Sequence, residues 1–235
     1  MEQLQNADQM GEQIKGVPAA AIQVITNPGG FYRQMPKTGG FVAPLLFMVV
    51  MGVVAGLLGA LLSLLGLGSG GVISGMAAVI LMPIMVAVFG FISAAILFVV
   101  WKMIGSQESY ETAYRCMAYT AAIIPITTLL DLIPYLGSIL GLVWMTYLLV
   151  VASTEVHGIQ TKKAWVAFGA ICALLAVSSV SMEIAGRKLS SSMEEWQQEN
   201  QAQLDQLDNM DEMSPEEAGE AVGQFLKAFG QATQE

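Results

Sequence analysis

TGGFVAPLLFMVVMGVVAGLLGALLSLLGLGSGGVISGMAAVILMPIMVAVFGFISAAILFVVW occupies residues 38–101, 64 consecutive positions without one charged side chain. A water-soluble domain cannot hide so long an uncharged, mostly apolar run. A bilayer can, because its hydrocarbon dissolves apolar side chains and penalises ionised ones. As one straight helix the run would be roughly 95 Å long at about 1.5 Å per residue, whereas about 20 residues cross the hydrocarbon. The run therefore folds back, and Gly66-Leu67-Gly68-Ser69-Gly70-Gly71 marks the turn.

The composition of the rest agrees. Of 235 residues, 54% are hydrophobic and 12% charged, about half the charge of an ordinary soluble domain. The net charge of −9 is concentrated: residues 187–235 carry 11 acids and 3 bases, so −8 of it lies in the C-terminal tail. There is no basic stripe for nucleic acid, and an acidic tail is repelled by anionic lipid and projects into water. Residues 1–30 lack a basic start and a continuous apolar core, so the first span is expected to stay as an uncleaved anchor. Cys116 and Cys172 sit in apolar stretches without metal or redox spacing and read as small buried hydrophobes.

Residues 1–40 form a polar N-terminal region. Its short apolar run from Ala19 to Ile25 fits a helix lying at the interface. Phe31 and Tyr32 then suit the headgroup level, followed by Arg33 and Lys37. Five spans follow at about 41–67, 75–101, 113–133, 136–154 and 164–184, making a membrane domain of residues 41–186. The third is short of uncharged residues and holds Pro125, so it either spans or forms a re-entrant loop. With five spans, Arg33, Lys37, Lys102, Arg115, Lys162 and Lys163 share one side and Arg187 and Lys188 the other. The basic bias puts the N-terminus in the cytoplasm. Four spans give the same six-to-two ratio, so the bias leaves the side of the tail open.

Residues 187–235 read as an acidic amphipathic tail. Ser214-Pro215-Glu216-Glu217 has the N-cap, first-turn proline and acid of a helix start. Val222, Phe225, Leu226 and Phe229 then recur at helical spacing, giving either a solvated helix packed on itself or a copy, or a docking helix for another protein. Between Trp196 and Met213, Leu204, Leu207 and Met210 share one face of a Gln-rich acidic segment.

No motif carries chemistry. Gly66 to Gly71 matches G-x-G-x-x-G, but a dinucleotide fingerprint needs a preceding strand and an acid about 20 residues on, and no charge occurs before Lys102. No catalytic, cofactor-binding or metal-ligating residue is assigned. The lone histidine, His157, reads as a loop residue. Asp131 lies at the other end of the fourth span, about 30 Å away, and reads as an interfacial acid near a helix end rather than a relay. Gly52, Gly56 and Ala60 give a small-xxx-small-xxx-small face, with Gly59 and Ser63 as a second pair. Such faces bring membrane helices close, within a chain or between copies.

Three stretches together resemble the Yip family of five-span membrane proteins, named for interaction with Ypt/Rab GTPases, and in particular its bacterial branch. They are Thr26-Asn27-Pro28-Gly29-Gly30-Phe31-Tyr32 before the first span, Asp131-Leu132-Ile133-Pro134-Tyr135-Leu136-Gly137 entering the fourth, and Trp144 through Val156-His157-Gly158 with Lys163-Ala164 opening the last. The similarity covers about residues 20–185. It implies five spans, a cytoplasmic N-terminus, an opposite C-terminus and action through partners rather than catalysis. The long acidic tail and the short N-terminal region depart from many relatives.

The expectation is an all-α integral membrane bundle of five transmembrane helices with a soluble acidic helical C-terminal tail. The expected function is a non-enzymatic, multi-pass membrane scaffold or interaction protein in membrane organisation or trafficking-like processes, with a small-solute or ion transporter or channel as the alternative. Pro83, Pro125 and Pro134 would then mark broken helices around a path. The expected partners are the lipid bilayer, an unidentified membrane or soluble protein and a second copy of the chain, with no nucleic acid and no cofactor. The expected location is the bacterial inner membrane.

Overall fold

A computed structural model describes residues 2–67, 71–133, 135–199 and 214–232. Among these the chain is helical and contains no strand. The elements are α1 (Glu2–Thr26), α2 (Pro28–Gln34), α3 (Val42–Leu64), α4 (Gly71–Met103), α5 (Tyr110–Thr120), a 3-10 turn (Ala121–Ile123), α6 (Ile124–Leu130), α7 (Leu136–Glu155), α8 (Thr161–Glu199) and α9 (Pro215–Ala232). Two compact units divide the chain, Met1–Ser179 and Val180–Glu235, with the boundary inside α8. Five stretches are long and apolar enough to cross a bilayer: Val42–Leu64, Gly75–Met103, Tyr110–Leu130, Leu136–Glu155 and Thr161–Ser192.

In the first unit α3 and α4 form a hairpin whose helices meet backbone to backbone. A Cβ added at Gly52 would lie 2.7 Å from Pro83 Cα, and one at Gly56 would lie 2.8 Å from the Ala78 carbonyl oxygen. No side chain larger than hydrogen fits at either position without moving α4. That closeness is what small residues contribute where lipid supplies no hydrophobic drive between helices.

The third span starts at Tyr110, three residues before the expected 113, because Ser109 caps it: its hydroxyl accepts from the Thr112 amide at 3.2 Å. Pro125 has no N–H to continue the α-helical ladder, and the chain passes it through the 3-10 turn into α6. Tyr110–Leu130 thus forms one interrupted helical run of 21 residues, about 30 Å at the α-helical rise, long enough to cross.

The N-terminal region differs most from expectation. The short interfacial helix at residues 19–25 is the end of the much longer α1. Val17, Ala21 and Val24 fall at i, i+4 and i+7, are buried, and turn one stripe of α1 onto α3, α5 and the 3-10 turn. Asn27 caps α2 by accepting from the Gly30 amide at 3.1 Å, and Pro28 takes the first helical position, where a missing N–H costs nothing. Tyr32, expected at headgroup level, is 1% exposed. Its phenol donates to the Cys116 carbonyl at 3.1 Å, so the ring is a core element and not an interfacial anchor.

Candidate functional site

Arg33, Lys37, Lys102, Glu108, Glu111, Arg115 and Glu155 gather where α3 begins, α4 ends, α5 begins and α7 ends. The segment from Tyr32 to Gly40 crosses this end of the bundle and is fastened along its length. Arg33 grips Glu155 through two parallel N–H bonds of 2.9 Å each. Lys37 donates to Glu108 at 2.7 Å and to the Val156 carbonyl at 2.9 Å. Thr112 donates to the Lys37 carbonyl at 3.1 Å. Arg115, 4% exposed, reaches back from α5 and donates to the Pro36 carbonyl at 2.6 Å and the Gly40 carbonyl at 2.8 Å. The Gly40 amide donates to Glu111 at 2.7 Å. Gly39 and Gly40 have φ of 122° and 81°, a left-handed backbone that glycine adopts without Cβ strain. It turns the amide and the carbonyl of Gly40 toward α5.

This arrangement explains the residue types. Fastening an extended segment means satisfying its carbonyls, and a guanidinium with five donors in a fixed fork can serve two at once. The Arg33–Glu155 pair raises the guanidinium above its ordinary range through the side-chain hydrogen bond first and the carboxylate charge second. Burial holds the Tyr32 phenol well above its usual value, which keeps its proton available for the Cys116 carbonyl.

A second cluster lies at the same end of the bundle as this arm, residues 32–40. Trp101, fully buried at the end of α4, donates its indole N–H to Ser153 at 2.8 Å. Ser153 in turn donates to the Leu149 carbonyl at 2.6 Å. The His157 ring stacks on Trp101 at a centroid distance of 4.1 Å, and Phe168 of α8 meets the indole edge-on at 5.7 Å. His157 Nδ1 shares a 2.7 Å hydrogen bond with the Ser106 hydroxyl. Burial is the largest influence on the imidazole and pulls its pKa down to about 4; Lys37 and Lys102 act in the same direction and Glu108 opposes them. His157 is therefore neutral at pH 7.

Ser106 and His157 form a hydroxyl–imidazole pair that the sequence reading did not assemble. Its chemistry is weak for catalysis. Ser106 is 2% exposed and His157 8%, so a substrate carbonyl has no approach. His157 Nε2 has no hydrogen-bond partner, whereas a catalytic base is oriented by a third group. An imidazole titrating near 4 is also a poor acceptor for a serine proton. The pair closes the loop after α4 onto the loop after α7. The signal available beforehand was topological: Ser106 and His157 each follow a span that ends on the same side. Among the described residues no three His, Cys, Asp or Glu side chains come together as a metal set.

The residues singled out from sequence fall elsewhere. Gly52, Gly56 and Ala60 line the α3–α4 contact; Ala60 Cα would stand 3.3 Å from a Cβ on Gly75. Gly59, of the second small pair, has nothing within 4 Å of an added Cβ. Asp131 is exposed at the end of α6, its carboxylate against Gly137, and α7 separates it from Glu155 and His157. Pro83 lies inside a continuous α4, and Pro134 falls outside the described residues. In the second unit, α9 carries Val222 and Leu226 exposed at 36% and 61%. Phe225 and Phe229 lie on the same helix, and their side chains are outside the described set, as are Leu204, Leu207 and Met210.

The Yip1 domain family matches residues 22–182, more than half of the chain. No curated protein and no solved structure matches. The matched stretch begins within α1 and ends in α8, so it contains the fastened arm, the Trp101–His157 cluster and most of the five membrane-spanning stretches.

Proposed function

We propose a function from one premise: this chain belongs to the Yip1-domain family, and with five apolar helices of spanning length it is an integral membrane protein. It acts as a non-enzymatic scaffold that presents a rigid cytoplasmic surface to a protein partner, as a member of the family's bacterial branch in the inner membrane. The observation that supports this reading is the fastened arm. Arg33, Lys37 and Arg115 are all engaged in holding residues 32–40 in one conformation, which is work invested in surface shape. A preformed surface binds with less loss of conformational entropy than a loose one.

The N-terminus lies in the cytoplasm and the C-terminal tail on the opposite side. Reporter fusions at residues 10 and 235 test this, and cytoplasmic signals from both would sink the five-span orientation. Val222, Phe225, Leu226 and Phe229 of α9 are the candidate contact face of the tail, with a protein segment or a second copy as the partner. The decisive experiment is crosslinking in native membrane from a photoreactive residue placed at exposed Gln34, followed by identification of the captured protein. Failure to capture any protein, together with ion or solute flux in proteoliposomes, would favour a transporter instead.

A further inference from the structure

The six basic residues at the arm end of the bundle divide into two sets. Arg33, Lys37 and Arg115 are consumed internally, by Glu155, by Glu108 and the Val156 carbonyl, and by the Pro36 and Gly40 carbonyls. Lys102, Lys162 and Lys163 have no carboxylate within ion-pair distance among the described residues, and Lys162 and Lys163 are exposed at the start of α8. We propose that Lys102, Lys162 and Lys163 form a binding surface for the phosphate headgroup of an anionic phospholipid in the leaflet at the arm end of the bundle.

Three observations converge on that ligand. The first is unbalanced charge. Lys162 and Lys163 occupy the first turn of α8, which holds no acid, and cations there oppose the positive end of the helix dipole. Two adjacent ammonium groups in that place are unfavourable for the isolated fold and become favourable once an anion meets them. The second is rigidity. Trp101 contacts His157 at 4.1 Å and Phe168 at 5.7 Å, so one buried indole ties the end of α4, the loop after α7 and the first turns of α8 together. Lys102 is the next residue after Trp101, and Lys163 lies five residues before Phe168. The Lys102 Nζ also stands over the Phe98 ring, 5.4 Å from its centroid. The third is level. Both helices are membrane spans, so lysines at their ends stand where lipid phosphates stand. Trp165, 46% exposed one turn into α8, is the residue type that anchors at that depth. Arg33 and Lys37 are each offset by a carboxylate, Glu155 and Glu108, and Arg115 is buried, so the paired set offers less to an anion.

The test uses the full-length chain in nanodiscs of phosphatidylcholine with or without phosphatidylglycerol. Native mass spectrometry after mild delipidation reads the retained lipid. Wild type should retain phosphatidylglycerol at least about tenfold over its bulk ratio, since each surface lysine contributes about fivefold. The variant Lys102→Ala/Lys162→Ala/Lys163→Ala should fall to the bulk ratio, the corresponding arginine variant should keep the enrichment, and Lys15→Ala, which removes a cation paired on α1 with Glu12, should leave it unchanged. If the alanine variant does not fold, the salt series on wild type decides: enrichment should decline as ionic strength rises, and a salt-independent enrichment overturns the proposal. Undiminished enrichment in a folded alanine variant also overturns it. Equal thermal stabilisation of wild type by glycerol 1-phosphate in phosphatidylcholine discs would make the ligand a soluble phosphate ester and overturn the lipid assignment.

Discussion

The α3–α4 hairpin and the arm at residues 32–40 belong to one unit and are held by opposite means. The hairpin associates through missing side chains: Gly52 and Gly56 let α3 lie on the backbone of α4 at Pro83 and Ala78. The arm is held by long side chains reaching carbonyls and carboxylates across the sequence, with Arg115 spanning 79 positions to Pro36. The hairpin sits where lipid offers no hydrogen bonds, so close packing is the available attraction. The arm sits where unpaired carbonyls would otherwise need water, so hydrogen bonds fix it. The difference teaches that the two regions should fail differently, one to added volume and the other to lost donors or to acid.

The largest effect should come from volume. Gly52→Leu puts a side chain into the Pro83 backbone, which cannot rotate away, and should exceed the ~1–3 kcal/mol of ordinary overpacking. Little folded protein should survive detergent extraction, as read by size-exclusion chromatography. Gly59→Leu, with nothing within 4 Å of its new Cβ, should extract normally. Equal losses from both would mean that glycine itself, and not the α4 contact, matters along α3.

Acid should act on the arm end. The folded chain binds the His157 proton near pH 4, against 6.5 for a free imidazole, so the unfolded chain takes it first as pH falls. Stability due to neutral His157 is complete above about pH 6.5 and is lost progressively toward pH 4, amounting to about 3 kcal/mol by linkage. Melting curves of wild type and His157→Gln across that window check the sign, since nearby carboxylates titrate in both proteins and cancel in the difference. A His157→Gln chain with the same acid sensitivity would remove the imidazole from this account.

Loss of donors should come next. Arg115→Lys keeps the charge but cannot serve the part-buried Pro36 and Gly40 carbonyls together, and the one released to water should cost less than the about 1–3 kcal/mol of a fully buried orphan. The readout is faster proteolysis within residues 32–40 with intact spans. Slower proteolysis or none would show that the arm is held without this residue. The smallest effect belongs to Arg33–Glu155, because Arg33 is largely exposed and water screens such pairs. A double-mutant cycle with Arg33→Gln and Glu155→Gln should give a coupling that fades with salt.

Much of the hairpin was legible in advance because its cause is local and one-dimensional. Sixty-four residues without charge dictate a membrane run, its length dictates a turn, and glycine at positions 52 and 56 marks a face where helices approach. The start of α9 at Pro215 after Ser214 followed from capping chemistry for the same reason. The arm end was not legible. Arg115 and Tyr32 each read as interfacial residues, since a sequence gives their chemistry and depth but not their partners.

What the sequence by itself determined is therefore the solvent of each segment: which residues must lie in hydrocarbon and roughly where the helices begin. Hydropathy and capping are properties of neighbouring residues and need no fold. The tertiary structure alone decided which of six like-sided cations meet a carboxylate or carbonyl among the described residues, and that Ser106 meets His157 on a buried Trp101. Those are pairings across 50 to 120 positions of chain, and no local pattern encodes which distant carbonyl or ring a side chain will meet once the helices have packed.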